Sequence, residues 1–89
     1  MNPSEDVLHR LMGVIEDRRE KRPEGSYTTY LFAEGMPRIG AKVLEEAAEL
    51  VEAAGMPSRC ADAVTHETAD LFYHVLVLLA HSGVPLEAV

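Results

Sequence analysis

Apolar residues recur along most of this chain at intervals of three and four, the period that lines one side of an α-helix. Val7, Leu8, Leu11, Met12 and Ile15 form the first such stripe. It follows Asn2-Pro3-Ser4-Glu5, which reads as an N-cap, a proline at the first helical position and an acid at the third. The basic run Arg18-Arg19-Glu20-Lys21-Arg22 suits a helix C-terminus, where cations meet the dipole, and Pro23 disfavours helix at Arg22. The pattern therefore predicts a stop by Arg22 and a loop over Pro23-Glu24-Gly25-Ser26. Tyr27, Tyr30 and Leu31 predict a short helix from Tyr27 to Glu34, closed by Gly35. Pro37 opens a longer helix to about Ala54, with Gly55 and Pro57 as stop signals. Ser58 is expected to cap a fourth helix that continues to about Ser82, before Gly83. Val84-Pro85-Leu86-Glu87 reads as the start of a fifth. Because no strand-like alternation, internal repeat or low-complexity tract interrupts the series, the expected fold is all-α: a bundle of four to five helices in a single domain over residues 1–89.

The stretch Val75 to Ala80 is apolar around the whole helix and should be buried on every side. A chain of 89 residues has few helices with which to enclose it, so a homodimer is expected. The same stretch is far too short to span a bilayer, and the N-terminus has neither the basic nor the apolar region of a signal peptide. The single cysteine, Cys60, has no intrachain partner, and a cytoplasmic location is expected. A formal net charge of −7 argues against a role in coating nucleic acid. It does not argue against nucleotides, because carboxylates that hold a divalent cation lose their local field.

The placement of the acids is more informative than their sum. Glu46 and Glu49 lie at i, i+3 in the third predicted helix, and Glu67 and Asp70 repeat that spacing in the fourth. In the third, Ile39, Val43, Ala47, Leu50 and Ala54 make the core stripe; Glu46 falls roughly 60° from its centre and Glu49 roughly 120°, while Glu45 and Glu52 point away. In the fourth, Glu67, Asp70, Leu71, His74 and Leu78 share one side, so these acids sit on a surface that another helix covers. Burying like charges at ~6 Å costs about 3 kcal/mol of repulsion at an effective dielectric near 20, with desolvation in addition. Protonation or a bound cation relieves that cost. Hard oxygen ligands without a Cys or His cluster suit Mg²⁺, with Mn²⁺ possible, rather than Zn²⁺. Because Mg²⁺ completes its shell with water and phosphate oxygens, the pattern points to a phosphorylated substrate. An i, i+3 acid pair alone is usually a solvated surface; two pairs bordering the core of successive helices are what carry the reading.

Glu45-Glu46-x-x-Glu49 followed by Glu67-x-x-Asp70 resembles the signature of the all-α, MazG-like nucleotide pyrophosphohydrolases. Within that group, three stretches resemble the phosphoribosyl-ATP pyrophosphatase family: Pro23-Glu24-Gly25-Ser26-Tyr27-Thr28, the block from Arg38 to Ala47, and the block from Ala69 to Leu79 containing Tyr73-His74. Leu44 departs from it, standing where that family often has glycine, and the chain stops where the family usually continues its last helix. The resemblance implies hydrolysis of phosphoribosyl-ATP between its α and β phosphates, yielding phosphoribosyl-AMP and pyrophosphate in histidine biosynthesis, by a Mg²⁺-dependent homodimer of helical bundles. It implies Glu46, Glu49, Glu67 and Asp70 as metal ligands, with Glu46 and the outer acid Glu45 as the catalytic carboxylates. The alternatives are a related enzyme cleaving a (deoxy)nucleoside triphosphate, and a non-catalytic helical dimerisation module.

Substrate contacts are expected from Lys42, Arg19, Ser26, Tyr27, Thr28 and His74, each with a plainer reading beside it. Lys42 either meets a phosphate or pairs with Glu46 at i, i+4. Arg19, with Arg18 and Arg22, either meets phosphates or finishes a helix. Ser26, Tyr27 and Thr28 either bind an anion at a helix start or simply cap it. His74 either faces substrate or is a hydrogen-bonded core residue.

Overall fold

The protein is described from a computed structural model covering residues 3–57 and 60–89, with side chains from Val7 onward. The expected caps Asn2 and Ser58 lie outside the described residues. Four α-helices follow in order: α1 (Pro3–Lys21), α2 (Tyr27–Glu34), α3 (Met36–Gly55) and α4 (Ala61–His81). The all-α class is as the apolar spacing predicts. The fifth helix is not: Leu86–Ala88 form a single 3₁₀ turn.

Local chemistry explains the boundaries. Arg22 leaves α1 with a left-handed φ of 48°, and the following proline disfavours a return to the right-handed helical region there. Ser26 caps α2, its hydroxyl accepting from the Thr29 N–H at 3.3 Å. Gly35 separates α2 from α3 at φ 78° and ψ −167°, a conformation essentially closed to other residues. Its N–H closes α2 on the Leu31 carbonyl at 2.9 Å, while its own carbonyl starts α3 by accepting from Arg38 and Ile39 at 3.1 and 3.0 Å. One residue thus ends one helix and begins the next. The fourth helix begins at Ala61, later than the Ser58 expectation, with no side-chain cap from Cys60.

The core gathers at one end of the molecule. Met12 and Ile15 from α1, Leu31 and Phe32 from α2, Ile39 from α3, and Leu76, Val77 and Ala80 from α4 are buried together. Helices α3 and α4 share the most extensive contact, and the short connection between them makes an antiparallel hairpin. No described residue after Glu46 on α3 or before His74 on α4 is buried. Half of that hairpin therefore projects from the core with its apolar surface only partly covered. The Val75 to Ala80 stretch divides accordingly: Leu76, Val77 and Ala80 are enclosed, whereas Val75, Leu78 and Leu79 remain half-buried.

Ile39 is fully enclosed where α1, α2 and α4 meet α3. Ile39→Ala should lower the unfolding free energy by about 2–5 kcal/mol through lost burial and the cavity left behind. Urea denaturation measures this, and a loss below about 1 kcal/mol would mean that the site collapses around the smaller side chain.

Candidate metal and nucleotide site

The hairpin sets the acids. Glu46 lies where α3 first passes beyond the core, on the edge of its apolar stripe, and only 5% of its surface is exposed. Glu49 follows one turn later, and Glu67 faces both from α4. One carboxylate oxygen from each of Glu46, Glu49 and Glu67 lies within 4.8 Å of the other two. Glu46 Oε2 and Glu67 Oε2 are buried and lack a hydrogen-bond partner among the described residues. For Glu46 and Glu67, repulsion at that separation is about 3–4 kcal/mol at an effective dielectric near 20. Orphaned acceptors add to the cost. Converging carboxylate oxygens, two of them without a protein donor, fit a hard divalent cation, which would leave positions for water or phosphate. Zinc ligands of the Cys or His type are missing from the group.

Without a cation, a proton performs part of the same task. Glu49 is pushed up to about 7, first by a proton shared with Glu67, then by loss of solvation and by the neighbouring Glu46.

Asp70 falls outside this group of three. Its carboxylate Oδ2 lies 3.2 Å from His66 Nε2, one turn back on α4, and its side chain is 41% exposed. The i, i+3 spacing puts Asp70 on the same side of the helix as Glu67, but the His66 contact turns its carboxylate aside. Glu45 is exposed, as the helical angle predicts. Lys42 Nζ holds it at 3.2 Å and reaches Glu46 Oε1 at 3.3 Å, so both plain i, i+3 and i, i+4 pairings form. Partial burial lowers the Lys42 pKa, but the hydrogen bonds to Glu45 and Glu46 outweigh it and raise the value overall.

Helix α2 is docked beside the acids through two polar links. His74, 5% exposed, places Nδ1 at 2.8 Å from the Asp70 carbonyl and Nε2 at 3.0 Å from the Tyr27 hydroxyl. A carbonyl only accepts, so Nδ1 carries a hydrogen, and in that tautomer Nε2 accepts from the Tyr27 hydroxyl. Burial raises the Tyr27 pKa against the opposing pull of Lys42, which keeps the phenol a donor. The second link joins the hydroxyls of buried Thr28 and Tyr73. Helical spacing does not mark Tyr73; its place beside His74 in an otherwise apolar run is the signal the sequence carries. Ser26 is engaged in capping. Arg19 lies elsewhere: its Nη1 donates to the Ala80 carbonyl near the C-terminus of α4. Ala80 is thirteen residues from Glu67, about 20 Å along a helix axis. The arginine thus closes the end of a neighbouring helix as well as ending its own.

An all-helical bundle that converges three carboxylates beside a lysine presents an acidic site with the donors a divalent cation would need. The chain belongs to the phosphoribosyl-ATP pyrophosphohydrolase family, whose profile matches residues 8–89. It is 49% identical over 84 residues to the phosphoribosyl-ATP pyrophosphatase of Pelotomaculum thermopropionicum, covering 94% of this chain and 84% of that protein. It is 48% identical over 84 residues to the phosphoribosyl-ATP pyrophosphatase of Metallosphaera sedula, covering 94% and 88%. It also matches the histidine biosynthesis bifunctional protein HisIE of Bacillus subtilis at 46% over 83 residues, but spans only 39% of that longer protein.

The Glu49 proton gives a pH prediction. A carboxyl raised from 4.5 to about 7 binds its proton more tightly folded than unfolded. Its contribution to stability is therefore full below pH 4.5 and lost as pH rises through about 7. Metal-free protein should show a lower Tm at pH 8 than at pH 5, with added Mg²⁺ restoring more at pH 8. Glu49→Gln should flatten both trends in thermal melts. An equal pH slope in wild type and variant would remove Glu49 as their source.

Proposed function

We propose that this protein hydrolyses phosphoribosyl-ATP to phosphoribosyl-AMP and pyrophosphate, in histidine biosynthesis, with Mg²⁺ held by Glu46, Glu49 and Glu67. The observation that carries the reading is the convergence of three carboxylate oxygens within 4.8 Å, two of whose groups keep a buried oxygen without a partner. Membership of the family supplies the substrate. Asp70 joins the ligand set by turning from His66, a surface contact of small energy. Mn²⁺ meets the same donors.

When bound, the cation supplies Lewis-acid stabilisation of phosphate charge and an oriented water. The chain's own groups do the rest. Lys42, anchored by Glu45 and Glu46, holds a positive charge at the edge of the cluster where a phosphate enters. Glu45 stays outside the ligand group and solvent-accessible, placed to orient water or take its proton. Glu46 serves as ligand and as the second candidate for that proton. His74 fixes the direction of the Tyr27 hydroxyl, leaving the oxygen's lone pairs free for a substrate donor. Ser26 and Thr28 hold the start of α2 in place for Tyr27. The water oxygen ends on one phosphorus and the bridging oxygen leaves on the other, so the α–β anhydride is the one bond broken.

Purified protein with Mg²⁺ should release pyrophosphate from phosphoribosyl-ATP. Glu46→Gln and Asp70→Asn should each lose at least about tenfold in kcat, the usual scale for a lost catalytic or ligating group. Full activity in both variants would reject this site. A panel including ATP and deoxynucleoside triphosphates fixes the substrate, and preference for a simple triphosphate would replace phosphoribosyl-ATP.

The active form in this reading is a cytoplasmic homodimer. Helix α3 carries a second apolar side, with Leu44 74% and Val51 72% exposed one above the other, flanked by Ala41 and Ala48. Phe72 is likewise open on α4. This side of α3 faces away from the core along the length of the hairpin, and a second copy offers the same surface in return. Light scattering at micromolar concentration should give twice the chain mass, and Leu44→Glu with Val51→Glu should give a monomer. A wild-type monomer would overturn this arrangement.

A further inference from the structure

Tyr27, Tyr30 and Tyr73 are all the tyrosines of a chain without tryptophan, and their rings form one ladder. Tyr73 on α4 and Tyr27 at the start of α2 are 6.2 Å apart between centroids, with planes inclined at 26°. Tyr27 and Tyr30 follow at 6.0 Å and 28°, within the offset-stacked range of aromatic pairs. The inner two rings are anchored. Tyr27 is hydrogen-bonded to His74, which also stands edge-on to its ring, and Tyr73 is bonded to Thr28. Tyr30 is different. Its side chain makes no hydrogen bond among the described residues, and the ring it meets there is Tyr27. It is exposed, on the side of α2 opposite buried Thr28, Leu31 and Phe32. Long helical side chains lean toward the N-terminus, so this ring lies back over the turn that carries Tyr27. The exposed ring of Phe72, by contrast, lies among Leu8, Val75 and Leu79 and beside no other ring among the described residues.

The ladder borders the carboxylates. Lys42 and Glu46 both act on the Tyr27 phenol through their charges. Tyr30 therefore stands one ring spacing further out than the phenol at the edge of the cluster.

We propose that the uncovered face of Tyr30 is the platform on which the base of the nucleotide stacks. The proposal rests on the nucleotide-hydrolase reading above and says what holds the base. A phenol ring backed by a parallel ring on one face and open on the other is a flat, electron-rich surface. A purine offers a matching flat surface, whereas sugar and phosphate have none. Contact with Tyr27 orders the ring before a base arrives, so less side-chain freedom is lost on binding. Position agrees as well: a nucleotide's base and first phosphate are joined through one sugar, and one ring separates Tyr30 from the edge of the cluster, where Lys42 lies.

The ladder itself supplies the readout, because three tyrosines and no tryptophan account for nearly all intrinsic fluorescence. AMP with Mg²⁺ is the probe, ribose 5-phosphate is the control without a base, and free N-acetyltyrosinamide corrects for absorption by adenine. AMP should quench wild type saturably and ribose 5-phosphate should not. By calorimetry, Tyr30→Phe, which keeps the ring, should bind AMP within about twofold of wild type, and Tyr30→Ala at least about fivefold more weakly. Tyr30→Ala should also raise KM for phosphoribosyl-ATP while leaving kcat nearly unchanged. Tyr30 is opposite the core, and circular dichroism checks that the variants fold. Quenching no greater than that of N-acetyltyrosinamide, or equal AMP affinity in Tyr30→Ala and wild type, would overturn the assignment and leave the enzyme reading intact. Equal affinity together with a halved mass of Tyr30→Ala in light scattering would give the ring to a second copy instead. Wild type that releases no pyrophosphate from phosphoribosyl-ATP would sink the enzyme reading, while the AMP titration still decides whether the ring takes a base.

Discussion

Like charges forced together at the midpoint of the α3–α4 hairpin are the constraint on which this structure turns. Glu46 is almost fully enclosed, and Glu49 and Glu67 bring their oxygens within 4.8 Å of it and of each other. A hairpin built for stability alone would place apolar residues there, because burying paired charges rarely gains over a hydrophobic replacement. Here, three acids share a site that Lys42 neutralises from one edge only. The proton that Glu49 retains up to about 7 measures the remaining tension. A divalent cation would displace that proton and satisfy the two orphaned oxygens, and its binding would then add to fold stability.

The remainder of the molecule holds that arrangement still. The apolar core lies at one end, where Ile15, Leu31, Ile39 and Val77 are enclosed, and it clamps the base of the hairpin. Helix α2, of eight residues, is too short to be stable alone and is fixed by its contacts. Tyr27 to His74 and Thr28 to Tyr73 tie it to α4 by side-chain hydrogen bonds, while Gly35 ties it to α3 through the backbone. The Asp70 carbonyl orders His74, and His74 in turn orders Tyr27. The same turn of α4 therefore carries a proposed ligand and the support for Tyr27, a proposed substrate contact.

The end of the hairpin beyond the acids has no comparable support. Val51 stands open on it, and Leu44, two turns earlier on α3, continues the same open stripe toward the core. The second apolar side of α3 is left largely uncovered by the described residues, with Leu44 and Val51 both exposed.

Much of this was legible in the residues themselves. Period and punctuation located four helices, because proline, glycine and capping serine act on the chain locally, within a turn. Helical angle alone placed Glu46 toward the core and Glu45 away from it, as found, and the quoted blocks pointed to the family to which the chain belongs. Other features depended on what neighbouring elements supply. Arg19 reads locally as a helix terminus or a phosphate ligand; only the approach of α4 gives it the Ala80 carbonyl. Asp70 shares the spacing of its partner acid, yet its rotamer follows His66 and leaves it outside the group of three. The final segment begins like a helix and closes as a 3₁₀ turn. Sequence by itself determined the elements and the side of each that carries charge, since those follow from backbone rules over a few residues. Tertiary structure decided which charges meet and which donors are already taken, since these depend on the distances between helices that are remote along the chain.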